Sequence, residues 1–240
     1  MSMRSFVSTL LLASTIACRP DGGRQTDSTT STLRAGVTDS QTRLVPRVST
    51  DSAQGTWIPP HFPGEGINVP ATVSQDWMMT LQIGAQHIVF EKTPLDSLQL
   101  RLRTGPMGQA GDAAAFVQWL CFTGGTGQGR WVLWLEAGEM DAGAVGTFHT
   151  VSVPPDAQVD HRCTQIQPAD TLVLPRGLSV GLEDSTVYRL LGPPSGAVAD
   201  TSIYSFERAP PAKDAVRTRV VLVTHAGRVV QIGAWRSSAW

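Results

Sequence analysis

The sequence predicts an α+β fold of two tandem units, each of which packs one short helix on a three-stranded antiparallel sheet. Two runs rich in β-branched and aromatic residues end at an Ala-Gly pair, Ala137-Gly138 and Ala226-Gly227. A run of this kind that stops at a small-residue turn is typical of a β-hairpin. A further strand pattern lies before and after each hairpin, and a short helical pattern closed by Gly-Pro precedes each set. The same order of elements in both halves indicates an internal repeat.

The first unit is expected to begin with a helix between Thr93-Pro94 and Gly105-Pro106. Proline is favoured in the first helical turn, where its missing N–H has no helical partner, and Gly-Pro prevents the helix from continuing. Leu98 and Leu102 are one helical turn apart, so they share the face that should pack on the sheet. The strands of this unit are predicted at residues 114–122, 130–136 and 145–153.

The second unit is expected to begin with a helix over residues 182–191. Val187 and Leu191 lie on one face, and Asp184 falls in the first turn, where an acidic side chain suits the positive end of the helix dipole. Gly192 and the two prolines after it end the helix. The strands of this unit are predicted at residues 201–207, 218–225 and 228–236.

The N-terminus has the pattern of a secretory signal. Arg4 supplies a positive charge, residues 6–16 are apolar, and a small residue precedes Cys18. The segment Thr15-Ile16-Ala17-Cys18 resembles a lipobox, the cleavage site of bacterial lipoproteins. The resemblance implies that residues 1–17 are removed and that Cys18 carries the lipid, palmitate included, that holds the chain at a membrane. The alternative is an ordinary signal peptide followed by an incidental cysteine.

The segment after the cysteine is predicted to be a disordered tether. Residues 18–56 are rich in Ser, Thr, Asp, Gln and Gly and poor in aromatic residues, so they cannot bury enough apolar surface to offset their ordering entropy. Arg19 stands where inner-membrane lipoproteins often carry Asp, and that resemblance favours the outer membrane, with the protein facing the periplasm. The folded units are then expected at residues 57–175 and 176–240.

The bulk composition excludes several classes of partner. The chain has 240 residues, of which 41% are hydrophobic, and a formal net charge of -1, which suits a globular protein. Neither sign of charge dominates, so we expect no nucleic-acid partner. No segment after the signal has the run of about 18 apolar residues that a membrane-spanning helix needs.

Two cysteines remain once Cys18 is assigned to the lipid. Cys121 and Cys163 should form a disulfide, because export places them in an oxidising compartment. The alternative is metal binding by His161 and Cys163, but the sequence has no second Cys/His pair at zinc spacing. We therefore expect a disulfide and no metal.

The second unit resembles a known family. Its Gly177-Leu178-Ser179-Val180-Gly181, Leu191-Gly192-Pro193-Pro194, Tyr204 and Gly227-Arg228-Val229-Val230 are similar to the repeat of BamE-type outer-membrane lipoproteins. Two such units in series resemble the fold of the beta-lactamase-inhibitor protein. The first unit matches in outline alone. The resemblance implies a fold and carries no partner with it.

No motif in the sequence supports catalysis. The Gly-rich stretch 124–129 joins two predicted strands and lacks the Lys-Ser/Thr ending of a phosphate-binding loop. His149 is expected to be a strand residue without a role, and Glu136, Glu139 and Asp141 to be solvated charges at a turn. We therefore predict no enzyme activity and no cofactor.

The aromatic residues suggest a binding surface. Trp131 and Trp134 are three residues apart on a predicted strand, so they point to opposite faces. An exposed tryptophan on a sheet is a typical anchor for a protein partner; the alternative is that other elements cover both rings. The sequence thus favours an envelope-anchored lipoprotein that binds a protein partner without catalysis. The alternatives are a structural lipoprotein without a defined ligand and, less favoured, an unrecognised enzyme.

Overall fold

The computed structural model describes residues 57–71, 79–112, 115–139, 142–167, 171–208 and 215–239. The predicted signal peptide, Cys18 and the tether lie outside these residues. The described residues all belong to one compact unit.

Strands dominate this unit. In chain order the elements are β1 (Thr80–Ile83), β2 (Gln86–Val89), α1 (Leu95–Leu102), β3 (Gly108–Ala110), β4 (Val117–Gly124), β5 (Trp131–Gly138), β6 (Thr147–Ser152), β7 (Thr164–Gln165), β8 (Leu172–Val173), α2 (Asp184–Leu191), β9 (Gly196–Val198), β10 (Thr201–Arg208), β11 (Ala215–His225) and β12 (Arg228–Ala239).

Nine of these strands form one sheet. Its order is β3-β4-β5-β6-β12-β11-β10-β9, and β7 adds to β4 as a parallel neighbour. The two halves of the chain join where β6 pairs antiparallel with β12, from Thr147 opposite Trp235 to Val151 opposite Gln231. A separate sheet of three strands has the order β2-β1-β8.

The predicted fold class is therefore wrong. Strands make up 45% of the residues that the structure describes, and the sheet is continuous rather than divided into two three-stranded units. The physical reason is that a three-stranded unit leaves unpaired N–H and C=O groups on its outer strands. Pairing of β6 with β12 satisfies two of those edges, and the short strands β3 and β9 extend the other two. Hairpin signals in a sequence identify local pairs and do not reveal such distant ones.

The Ala-Gly alignment on which the prediction depended is correct in one half. Ala226 and Gly227 have positive φ angles of 50° and 73° and form the turn between β11 and β12. Ala137 and Gly138 instead lie inside β5, where Gly138 pairs with Val117. Because the strand continues through this pair, the predicted turn at Ala137-Gly138 is wrong.

The helices pack as their apolar faces predict. Leu98 of α1 and Val187 of α2 are buried, and Leu102 and Leu191 pack against the same core. Directly opposed residues of antiparallel strands share a face of the sheet. The face that meets the helices, here called the helix-side face, carries Leu120, Phe122, Leu133, Leu135, Phe148, Leu222 and Ile232, all of which belong to this core.

The opposite face of the sheet is crossed by residues 57–71, here called the strap. One row of directly opposed residues runs across this strap-side face: Cys121, Trp134, His149, Gly233, Val221 and Ile203. The strap follows that row. Trp134 Nε1 donates a hydrogen bond to the Trp57 carbonyl at 3.2 Å, and a Cβ on Gly64 would contact Val221 and Ile203.

Glycine is required in the middle of this row. A Cβ on Gly233 would lie 2.9 Å from Pro63 and 3.1 Å from Phe62, both of which belong to the strap. Real Cβ atoms essentially never approach a neighbour more closely than 3.0 Å. The absence of a side chain at Gly233 therefore lets the strap lie directly on β12.

Candidate functional site

The predicted disulfide is confirmed. Cys121 on β4 and Cys163, just before β7, are bonded, with their Cα atoms 4.5 Å apart. The disulfide lies within a second apolar cluster, on the strap-side face. This cluster contains Trp57, Trp119, Cys121, Val132, Trp134, Val153 and Cys163. Both sulfurs are used in the bond, so the alternative in which Cys163 and His161 bind a metal is excluded for the oxidised chain.

The two tryptophans predicted as partner contacts point to opposite faces, as their spacing requires. Trp134 is 2% exposed and lies in the cluster around the disulfide. It is covered because Trp57 of the strap lies against it, so Trp134 has no exposed ring with which to anchor a partner. Trp131 is half-buried at the border of the helix-side core. Its partner-binding role stays a prediction.

An open cleft of about 410 Å³ lies between the end of the strap and the strands β10, β11 and β12. Its volume falls within the range of roughly 300–1,000 Å³ typical of ligand pockets. Strap residues 66–71 form one wall. The sheet contributes Ser205, Glu207, Arg217, Arg219 and Trp235.

The strand register explains why these side chains converge. Ser205, Arg219 and Trp235 are directly opposed on three neighbouring strands, and Glu207 is opposed to Arg217. Residues two apart on a strand share a face, so the row of three residues and the pair Glu207–Arg217 both project from the strap-side face. The cleft therefore combines two guanidinium groups, one carboxylate and one indole ring.

The two arginines of the cleft differ in their partners. Arg217 is exposed and forms an ion pair with Glu207 at 3.4 Å, a type of surface contact that contributes little stability. Arg219 is half-buried and donates a hydrogen bond to the carbonyl of Ile67. Burial, and next the positive charge of Arg217, lower the pKa of Arg219. Among the described residues no carboxylate pairs with Arg219.

The strap offers backbone groups to the same cleft. The amides of Asn68, Val69 and Ala71 donate no hydrogen bond to any described residue. Val69 packs over Gly196 of β9, where a Cβ would lie 2.5 Å from its side chain. This wall of the cleft thus contains main-chain N–H groups that have no acceptor among the described residues.

A buried pair of titratable groups lies elsewhere on the strap-side face. Glu136 Oε1 is 3.1 Å from His149 Nε2, and their side chains are 14% and 3% exposed. The two atoms are close but not aligned as a hydrogen bond, and His149 Nδ1 has no partner among the described residues. The ring of Phe62 covers His149 edge-on, with 5.3 Å between ring centroids.

Burial determines the charge of this pair. It raises the pKa of Glu136 to about 8 and lowers the pKa of His149 to about 4. Near neutral pH the carboxyl is therefore protonated and the imidazole uncharged, because an isolated buried charge is costly. The prediction that Glu136 is a solvated turn charge is wrong. Val132, Trp134 and Glu136 are spaced two residues apart along β5, so they share one face of the strand. That spacing was the signal that Glu136 faces an apolar cluster.

Sequence reasoning missed the cleft altogether. In the sequence, nothing distinguishes Arg217 and Arg219 from other charged strand residues. The strand register places Arg217 opposite Glu207, and Arg219 between Ser205 and Trp235. The strap adds the second wall from a segment more than a hundred residues earlier in the chain. Neither relation has a local signature.

Comparison with known proteins gives no matching family model, no similar curated protein and no similar solved structure. The resemblance to BamE-type lipoproteins and to the beta-lactamase-inhibitor protein consequently stays a hypothesis about kinship. Within the described ranges, no helix has both the length and the apolar character that a membrane span requires. In the same ranges, no three His, Cys, Asp or Glu side chains group as metal ligands.

Proposed function

We propose that the chain is a lipoprotein of the bacterial cell envelope, anchored through Cys18 in the outer membrane and facing the periplasm, that binds a protein partner without catalysis. The lipobox-like segment before Cys18 and the tether-like composition after it support the anchor. The disulfide between Cys121 and Cys163 supports export, because such bonds persist in oxidising compartments.

The cleft beside the strap is the observation that carries the binding role. Arginine and tryptophan are enriched among the residues that dominate protein interfaces, and Arg217, Arg219 and Trp235 line one open cleft. Its carboxylate, Glu207, is engaged by Arg217. The pair Glu136–His149 is covered by Phe62. These features favour recognition over acid–base chemistry.

Photo-crosslinking in the cell envelope tests this proposal. A photoreactive amino acid replaces Asn68, an exposed strap residue in the wall of the cleft, and a control replaces Leu100, which is 79% exposed on α1. Irradiation should give a protein adduct at position 68 and none at position 100, because α1 lies on the other side of the sheet. The adduct should also be lost when Arg219→Glu reverses the charge inside the cleft.

The same experiment separates the alternatives. A structural lipoprotein without a ligand predicts no adduct at either position. Equal adducts at positions 68 and 100 would indicate non-specific proximity in the envelope and would contradict a binding site in the cleft.

A further inference from the structure

We infer that the cleft binds an extended, acidic segment of the partner, with Arg217 and Arg219 as the ligands of a side-chain carboxylate and the strap as the backbone neighbour. This inference rests on the proposed function and specifies the chemistry of what is bound. Three features of the cleft support it independently of one another.

The first feature is the charge of the cleft. The lining residues carry two guanidinium groups and one carboxylate, so the site has a net positive charge. Arg219 is half-buried opposite Trp235 and two residues from Arg217, and burial, followed by repulsion from the Arg217 charge, lowers the pKa of Arg219. An incoming carboxylate relieves this repulsion and replaces the water lost by Arg219. Guanidinium and carboxylate also match in geometry, because both are planar and can form two parallel hydrogen bonds.

The second feature is the backbone of the strap. Asn68, Val69 and Ala71 have amides without an acceptor in the described part of the chain. An extended peptide that lies beside them can accept and donate main-chain hydrogen bonds, as in strand addition. Recognition through the backbone requires an extended segment and does not require a particular sequence.

The third feature is the position of Trp235. It is directly opposed to Arg219 in the register of β11 and β12 and is half-buried at the border of the cleft. An indole has a flat apolar face and can accommodate the methylene groups of a glutamate whose carboxylate reaches Arg219. The site thus offers surroundings for both parts of an acidic side chain.

A defined probe tests the inference. A fluorescent oligoglutamate peptide is titrated into the full-length lipidated protein in detergent, and binding is followed by fluorescence anisotropy. Arg219→Gln and Arg217→Gln should each weaken binding by about 10- to 100-fold, since each removes a charge-assisted hydrogen bond. Raising the salt concentration from about 0.01 M to about 1 M should weaken binding further, because salt screens exposed charges.

Matched controls distinguish the cleft from general attraction. Arg228→Gln removes an exposed arginine of β12 that pairs with Glu183, away from the cleft, and should leave binding unchanged. An oligoglutamine peptide keeps the backbone and removes the carboxylates, so it should bind more weakly than oligoglutamate. Arg217 is 58% exposed, and its variant therefore reports on the cleft even where Arg219→Gln destabilises the fold.

Several outcomes would overturn the inference. Equal binding by the wild type and both cleft variants would place the peptide elsewhere. Displacement of the peptide by an equal concentration of inorganic phosphate would indicate a site for free anions. A changed sedimentation coefficient in Arg217→Gln would show that the cleft joins copies of this chain. Crosslinking at position 68 without oligoglutamate binding would retain the proposed function and refute the acidic partner alone.

Discussion

Replacing Glu136 by Gln should change how the stability of the domain depends on pH. The substitution keeps the size and planarity of the side chain and removes its titratable proton. Glu136 and His149 lie together on the strap-side face, and burial moves their pKa values in opposite directions. The two groups therefore contribute opposite slopes to the free energy of unfolding.

The sign of each slope follows from which state holds more protons. Between pH 4.5 and about 8 the folded chain keeps the Glu136 proton that the unfolded chain releases, so the free energy of unfolding falls by about 1.4 kcal/mol per pH unit. Between about pH 4 and 6.5 the unfolded chain protonates His149 and the folded chain does not, so the free energy of unfolding rises with pH at the same rate.

The magnitudes follow from where the two ranges overlap. From pH 4.5 to 6.5 the slopes cancel, and from pH 6.5 to about 8 the Glu136 contribution acts alone. The wild-type domain should therefore lose about 2 kcal/mol over this upper range. Glu136→Gln should remove that loss and expose the His149 slope, so that its stability rises by about 3 kcal/mol between about pH 4 and 6.5.

Urea denaturation at a series of pH values measures this difference. Tryptophan fluorescence is a suitable signal, because Trp57, Trp119 and Trp134 lie in one buried cluster. Glu65→Gln serves as the control, since the Glu65 side chain is 72% exposed, and it should keep the wild-type pH profile. Parallel profiles for the wild type and Glu136→Gln between pH 6.5 and 8 would refute the reasoning and would mean that Glu136 is ionised in the folded state, paired with a charged His149.

Three further predictions concern the anchor, the disulfide and the core. Cys18→Ser should release the chain from the membrane fraction, because a lipid contributes about 0.8 kcal/mol per buried CH₂; unchanged fractionation would argue against a lipoprotein. Reduction of the bond between Cys121 and Cys163, which spans 42 residues, should lower the free energy of unfolding by about 3–4 kcal/mol, visible as a lower urea midpoint. Leu98→Ala should lower the free energy of unfolding by about 2–5 kcal/mol in the same assay. Leu100→Ala, on the exposed side of α1, should change it by less than about 0.5 kcal/mol. Similar losses for the two variants would mean that the buried face of α1 is assigned incorrectly.

Local patterns predicted the elements more successfully than their arrangement. The strand predicted at 201–207 is β10, and the helix predicted at 182–191 contains α2. Such elements follow from side-chain periodicity and turn residues within a short window. Pairing of β6 with β12 depends on residues about 84 apart, such as Gly233 and His149, and no local pattern encodes it.

The candidate site was harder to predict for the same reason. The disulfide was predictable because the sequence indicates export, and the two cysteines other than Cys18 then leave one pairing. One wall of the cleft is formed by the strap. The strap is a proline- and glycine-rich segment, and its composition predicts only a loop. The strap can cross β12 because Gly233 has no side chain where Pro63 and Phe62 lie. The sequence does not show that these distant residues are neighbours.

The direction of the strap determines where the cleft lies relative to the chain that precedes Trp57. Chain preceding the strap enters at Trp57, over β4 and β5, while the cleft lies over β10 to β12. With about 4.8 Å between neighbouring strands, Trp57 and the centre of the cleft are separated by about half the width of the sheet. If the chain is anchored at Cys18 as proposed, the cleft is therefore set apart across the sheet from Trp57, where the anchored segment joins the domain.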